Sequence, residues 1–282
     1  MRFMMMVKSS TEAENGVMPT EAELTEMGAF NEQLMKAGVL LAGEGLHPSS
    51  KGARVRISGS KTTVTDGPFA EAKELVAGYW LIQAKSKEEV LDWAKRVPFR
   101  EGAVEVRPLY EAEDLGEVPA ETPEKPARPQ RKPGTKRFFC VLKADKKTEA
   151  GEPATPALLQ EMGGFMQELT EQGVVLEGDG LKPTSYGARV YYDRDKRTIV
   201  DGPFAETKEI IAGYAVVQFA SLKEAVEMSR RMLDIHLRGT GQTEGECELR
   251  QVFETEEFPV SDAEKPDGWR KQELEMRQRL GG

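Results

Sequence analysis

Asp66-Gly67-Pro68-Phe69-Ala70-Glu71-Ala72-Lys73-Glu74 recurs as Asp201-Gly202-Pro203-Phe204-Ala205-Glu206-Thr207-Lys208-Glu209, with eight of nine positions identical. Two readings of this segment compete. Proline suits the first turn of a helix and phenylalanine can anchor the segment in a core, so the repeat can be a turn. Charged residues on a solvated turn exchange freely, however. The return of Asp66, Glu71 and Lys73 as Asp201, Glu206 and Lys208 therefore also fits a ligand-facing role. Asp66 and Asp201 are the candidates for chemistry there.

A second pattern places an acid between two glycines, as Gly43-Glu44-Gly45 and Gly178-Asp179-Gly180. The glycines let backbone approach closely while the carboxylate projects, which reads as a β-bulge or as a binding edge. Arg54 and Arg189 recur inside strands flanked by alanine and valine. Each can pair with a nearby acid, or join Glu44 and Asp66 (Asp179 and Asp201 in the second half) to line a polar pocket for a carboxylate. Histidine occurs twice, as His47 and His236. Lys182 stands opposite His47, so no histidine recurs, a two-histidine metal site is absent, and no metal or cofactor is expected. His236, placed in a stretch that looks like an inserted loop, is a weak acid/base candidate.

These repeats share one offset of 135 residues, which aligns Met27 with Met162, Phe30 with Phe165 and Tyr79 with Tyr214. From Met27 to Glu88 no gap is needed and about half of the positions are identical. A period this long means two small domains, not a solenoid. The expected division is 1–110, a proline-rich linker over 111–134, a second domain over 135–255, and a tail over 256–282 with Trp269 as its docking anchor.

Each copy reads as β-α-β-hairpin-β-α-β. Leu24, Met27, Phe30 and Leu34 mark the first helix, with Thr20 and Glu23 as a capping box and Gly38 as its stop. A hairpin turns at Gly59-Ser60, and Val90, Trp93, Ala94 and Val97 mark a second helix capped by Ser86. The fold class is α+β, as tandem ferredoxin-like domains. Helices on one face leave the other face bare, so the copies are expected to pack sheet on sheet as a dimeric α/β-barrel-like pseudo-dimer.

With 39% hydrophobic and 31% charged residues, the 282-residue chain has a globular composition. A net charge of −9 argues against a nucleic-acid partner. No apolar stretch is long enough to span a bilayer, so no membrane partner is expected, and a cytoplasmic location is. The apolar start Met1–Val7 has an internal counterpart at Arg137–Leu142, which marks it as a strand rather than a leader. Cys140 and Cys247 read as buried free thiols.

The repeated Asp-Gly-Pro-Phe-Ala-Glu, with Gly-Glu-Gly-Leu upstream and Val104-Glu105-Val106-Arg107-Pro108 at the end, resembles the YCII-related, DGPF-domain family. The resemblance implies a ferredoxin-like fold of the dimeric α/β-barrel kind. Relatives in that family were proposed to be enzymes through a first-helix histidine and an aspartate in a later turn. Residues 20–37 and 155–172 contain no histidine, so that pair does not carry over. The DGPF branch also resembles proteins encoded beside bacterial sigma factors. Three functions follow as expectations: small-molecule binding with or without catalysis, a regulatory interaction module tied to stress or sigma factors, and a fused homodimer scaffold. The intrachain pseudo-dimer is the expected assembly, with higher oligomers open.

Overall fold

The computed structural model describes residues 1–115, 130–205, 210–258 and 268–280. The first copy supplies β1 (Arg2–Lys8), α1 (Thr11–Glu14), α2 (Glu21–Lys36), β2 (Leu40–Gly45), β3 (Gly52–Ser58), β4 (Lys61–Asp66), β5 (Val76–Gln83), α3 (Lys87–Lys95) and β6 (Glu101–Pro108). The second supplies β7 (Lys136–Lys143), α4 (Lys146–Glu149), α5 (Pro156–Glu171), β8 (Val175–Gly180), β9 (Ala188–Asp193), β10 (Lys196–Asp201), β11 (Ile211–Phe219), α6 (Leu222–Thr240) and β12 (Glu244–Gln251). A terminal helix, α7 (Trp269–Arg279), has no counterpart among the described residues of the first copy.

Local chemistry sets the helix ends. The Thr20 hydroxyl accepts from the Glu23 amide while the Glu23 carboxylate accepts from the Thr20 amide, closing the capping box before α2. Gly38, at φ 71°, ends that segment in the left-handed region. The Ser86 and Ser221 hydroxyls accept from the Glu89 and Glu224 amides at the starts of α3 and α6, and Gly241 follows α6 at φ 67°.

Two six-stranded antiparallel sheets result, ordered β10-β9-β6-β1-β5-β2 and β4-β3-β12-β7-β11-β8. The hairpins have changed partners. β9–β10 of the second copy extends the first copy's sheet through β6, and β3–β4 of the first extends the second's through β12. The alternation in β3 shows that one face is buried, but any antiparallel neighbour satisfies it, so its actual partner was not legible.

The alternation of the central strands explains their wholly apolar sequences. Phe3 and Met5 point into a core beneath α2 and α3, whereas Met4 and Met6 join Phe139, Val141, Tyr79, Tyr214 and Val216 in a core drawn from both sheets. Tyr79 stacks on Phe139 with centroids 4.8 Å apart. In the second copy Phe138 and Cys140 face α5 and α6, and both cysteines are free and buried.

Three expectations need correction. The stretch read as an inserted loop at 233–246 is largely helix. α6 runs to Thr240 because Met228, Met232, Leu233, Ile235 and Leu237 continue a buried stripe. His236 therefore lies within that helix and is buried. Pro68 opens no helix, since the first helical turn after it comes at Ala72–Glu74. No described helix is long and apolar enough to cross a membrane.

Candidate functional site

The acid of each Gly-acid-Gly pattern sits on an edge strand, β2 or β8, and meets an arginine from the other copy's first strand. Arg137 Nη1 donates to Glu44 at 2.5 Å, and Arg2 Nη1 donates to Asp179 at 2.6 Å. A second acid completes each arrangement: Glu254 accepts from Arg137 at 3.0 Å, and Glu111 accepts from the Arg2 guanidinium at 3.1 Å. At one end only, α7 adds Arg277, which donates to the second Glu44 oxygen at 2.8 Å and pairs with Glu273 at 3.0 Å. Burial alone would raise the Glu44 carboxyl, but the Arg277 and Arg137 guanidiniums hold it below its ordinary value.

Beside this end lies a cleft of about 260 Å³, bounded by Glu44, Tyr79, Arg137, Glu177, Glu254 and Arg277 among its polar groups. Leu176 and Val216 of the second copy and Leu274 and Leu280 near the C-terminus give it an apolar wall. The Tyr214 hydroxyl donates to Glu177 at 2.8 Å, which fixes that carboxylate at the rim. A hollow of about 410 Å³ elsewhere carries Lys51, Lys136 and Glu257. The Glu257 carboxylate is already engaged by His47 at 2.9 Å.

The arginines read as pocket residues sit at the exchanged hairpins instead. Arg54 pairs with Glu248 at 2.9 Å and lies over the Phe69 ring at 4.1 Å. Arg189 pairs with Glu105 at 2.9 Å and lies over Phe204 at 4.0 Å. The strand register puts Glu105 opposite Arg189 and Glu248 opposite Arg54. Each glutamate is also approached by a lysine and a second arginine, Lys8 and Arg107 or Lys143 and Arg250. Burial would raise both carboxyls, yet these cations hold them below the ordinary range.

Asp66 is exposed at the end of β4, and Asp201 is exposed and pairs with Lys87 at 2.9 Å. Neither joins Glu44 or Asp179. Glu71 is exposed, and the Lys73 side chain, Glu206 and Lys208 lie outside what is described. His236 approaches Asp145 at 4.0 Å; burial lowers its pKa against the pull of that carboxylate. Packing accounts for the glycine of the repeated tetrapeptide. A Cβ on Gly67 would lie 1.8 Å from the Ser49 carbonyl oxygen, and one on Gly202 would lie 1.9 Å from that of Thr184. Phe69 and Phe204 are buried, and their amides donate to the Ser49 and Thr184 hydroxyls.

Sequence reasoning missed Arg2, Arg137, Glu105, Glu248, Tyr79 and Glu177 as a group. The signal was available for the first four. Arg2 and Arg137 are charged residues at matching places in apolar strands, and Glu-x-Arg closes both copies at 105–107 and 248–250.

The architecture is that of a duplicated α+β protein whose two antiparallel sheets each take a hairpin from the other copy. The model of the YCII-related domain matches residues 1–113 and again 137–233, and the chain belongs to that family. It is 37% identical over 92 residues to an uncharacterized protein of Rhizobium meliloti (strain 1021), an alignment that covers 32% of this chain and 74% of the relative.

Proposed function

We propose that the chain binds a small polar molecule in the cleft at Glu44, and that the copies at 1–110 and 135–255 act as one barrel-like pseudo-dimer around it. The supporting observation is the lining. Carboxylates, among them Glu44, Glu177 and Glu254, and guanidiniums, among them Arg137 and Arg277, line the same space as the apolar Leu176, Val216 and Leu274. At about 260 Å³ the space lies just under the roughly 300–1,000 Å³ of drug-sized sites, which suits a metabolite. Opposed charges beside an apolar wall favour a zwitterion with a short hydrophobic part. Glu44 belongs to the sequence-derived candidates, and its counterpart Asp179 marks a second half-site. Arg54 and Arg189 act as seam residues in this reading, and Asp66 and Asp201 serve the turn.

Calorimetric titration of the intact chain with free amino acids and short dicarboxylic acids tests the reading. A saturable one-to-one signal from a zwitterion, weakened at least tenfold by Glu177→Gln with an unchanged melting temperature, is expected. Binding that ignores Glu177→Gln and Glu44→Gln, or no binding across the series, sinks it.

A further inference from the structure

The helix α7 shows what its seat on the first copy requires, and the second copy repeats that seat. Trp269 packs on Leu24 and Phe258, and its ring edge comes so close to α2 that a Cβ on Gly28 would lie 3.0 Å from Trp269 Cδ1. Met276 enters the core beneath, and Arg277 reaches Glu44. Leu159, Gly163 and Asp179 occupy the matching places of Leu24, Gly28 and Glu44.

Occupancy separates the two faces. Leu24 is 5% exposed under Trp269, whereas Leu159 is 38% exposed. A Cβ on Gly163 would meet nothing within 4 Å among the described residues, and Gly164 beside it is equally open. Met162 and Met166 flank the two glycines, partly buried against the core below. Glu161 and Glu168 are exposed on α5, where they pair with Arg238 and Arg231 of α6, and Asp179 on β8 pairs with Arg2 as Glu44 pairs with Arg137. The helix that fills the equivalent seat is basic, carrying Arg270, Lys271, Arg277 and Arg279 against Glu273 and Glu275.

We infer that the α5 face around Leu159 and Gly163 is a docking surface for a basic amphipathic helix of a partner protein, built like α7. Such a helix carries an aromatic anchor and, two turns on, an apolar residue followed by arginine. The two glycines allow the close approach that an indole needs, and the exposed leucine gives it an apolar floor. Asp179 stands in the place of Glu44, the acid that Arg277 of α7 meets, so an arginine at the same point of a partner helix finds a carboxylate there.

A fluorescein-labelled peptide of residues 268–280, titrated into the intact chain and followed by anisotropy, provides the test. One saturable site is expected, weakened about tenfold or more by Leu159→Glu, by Gly163→Phe, and by replacing the peptide's tryptophan with alanine. Both chain substitutions fall on open surface, and circular dichroism confirms that the variants fold. A concentration-dependent dimer abolished by the same two substitutions also supports the surface and makes a second copy the source of the helix. Absence of saturable binding, or binding undiminished in both variants, overturns the inference, whatever the outcome for the cleft ligand.

Discussion

Glu105 and Glu248 meet the same partners in the same arrangement, whereas Glu44 and Asp179 do not. At the hairpin seams each buried glutamate holds a lysine from the first strand of its copy, an arginine two residues along its own strand, and an arginine from the exchanged hairpin. At the sheet edges the cross-copy arginine is kept at both ends, but Arg277 reaches only Glu44. The seam is where the two halves join by strand pairing, and a change there removes an acid that three cations share. The Glu44 edge borders a cleft, where an altered residue disturbs fewer buried charges. Duplication has thus kept the seams alike and let the edges differ.

Breaking the seam should produce the largest effect. Glu105→Ala removes the acid shared by Lys8, Arg107 and Arg189, and Glu248→Ala removes the acid shared by Lys143, Arg250 and Arg54, of which Arg250 keeps Glu14 at 2.7 Å. Loss of one partner from a buried ion cluster costs about 3–5 kcal/mol. Urea unfolding should show similar losses for the two variants. A loss in one and none in the other would break the equivalence of the seams.

Arg277→Ala sharpens the contrast at the edges. Glu44 keeps Arg137 while Glu273 loses its arginine, and the loss should be about 1.5–3 kcal/mol. The effect should be local. Limited proteolysis should cut near α7 sooner than in the unaltered chain, while the Arg2–Asp179 end keeps its protection. Equal loosening of both ends would contradict the separation drawn here.

Much of the fold was legible because its signals are local. The capping box at Thr20, the stop at Gly38 and the stripe through Leu24, Phe30 and Leu34 all act within one helix. Trp269 was also readable as an anchor, since an indole in a charged tail has little else to do. The candidate site was half legible. Glu44 stood out between its glycines, but its partner Arg137 lies 93 positions away and comes from the other copy. The pairing of Arg54 with Glu248 depends on which sheet accepts β3, and the strand's alternation is indifferent to that choice. His236 was misplaced for a simpler reason. The insertion lengthened a helix whose apolar period continued unbroken.

The smallest expected effect concerns Glu273, which sits beside Arg277 on α7 and has no counterpart among the described residues at the Arg2–Asp179 end. Burial raises its carboxyl, and the neighbouring Glu44 charge adds to the rise against the pull of Arg277. An acid whose folded pKa is above its unfolded value makes the folded state bind its proton more tightly. Its ionised form thus works against the seating of α7 at neutral pH, and that penalty is relieved as pH falls through the folded pKa. Glu44 has the opposite sign: its depressed pKa contributes stability above the unfolded value of 4.5 that is lost as pH falls through the folded one. Glu273→Gln should therefore stabilise the chain at pH 7 by less than about 1 kcal/mol, with the gain fading as pH approaches 4.5. Thermal unfolding of the variant and the unaltered chain between pH 4.5 and 7.5 measures the difference. A gain that stays constant across this range would place its origin in packing and not in the charge that distinguishes this edge.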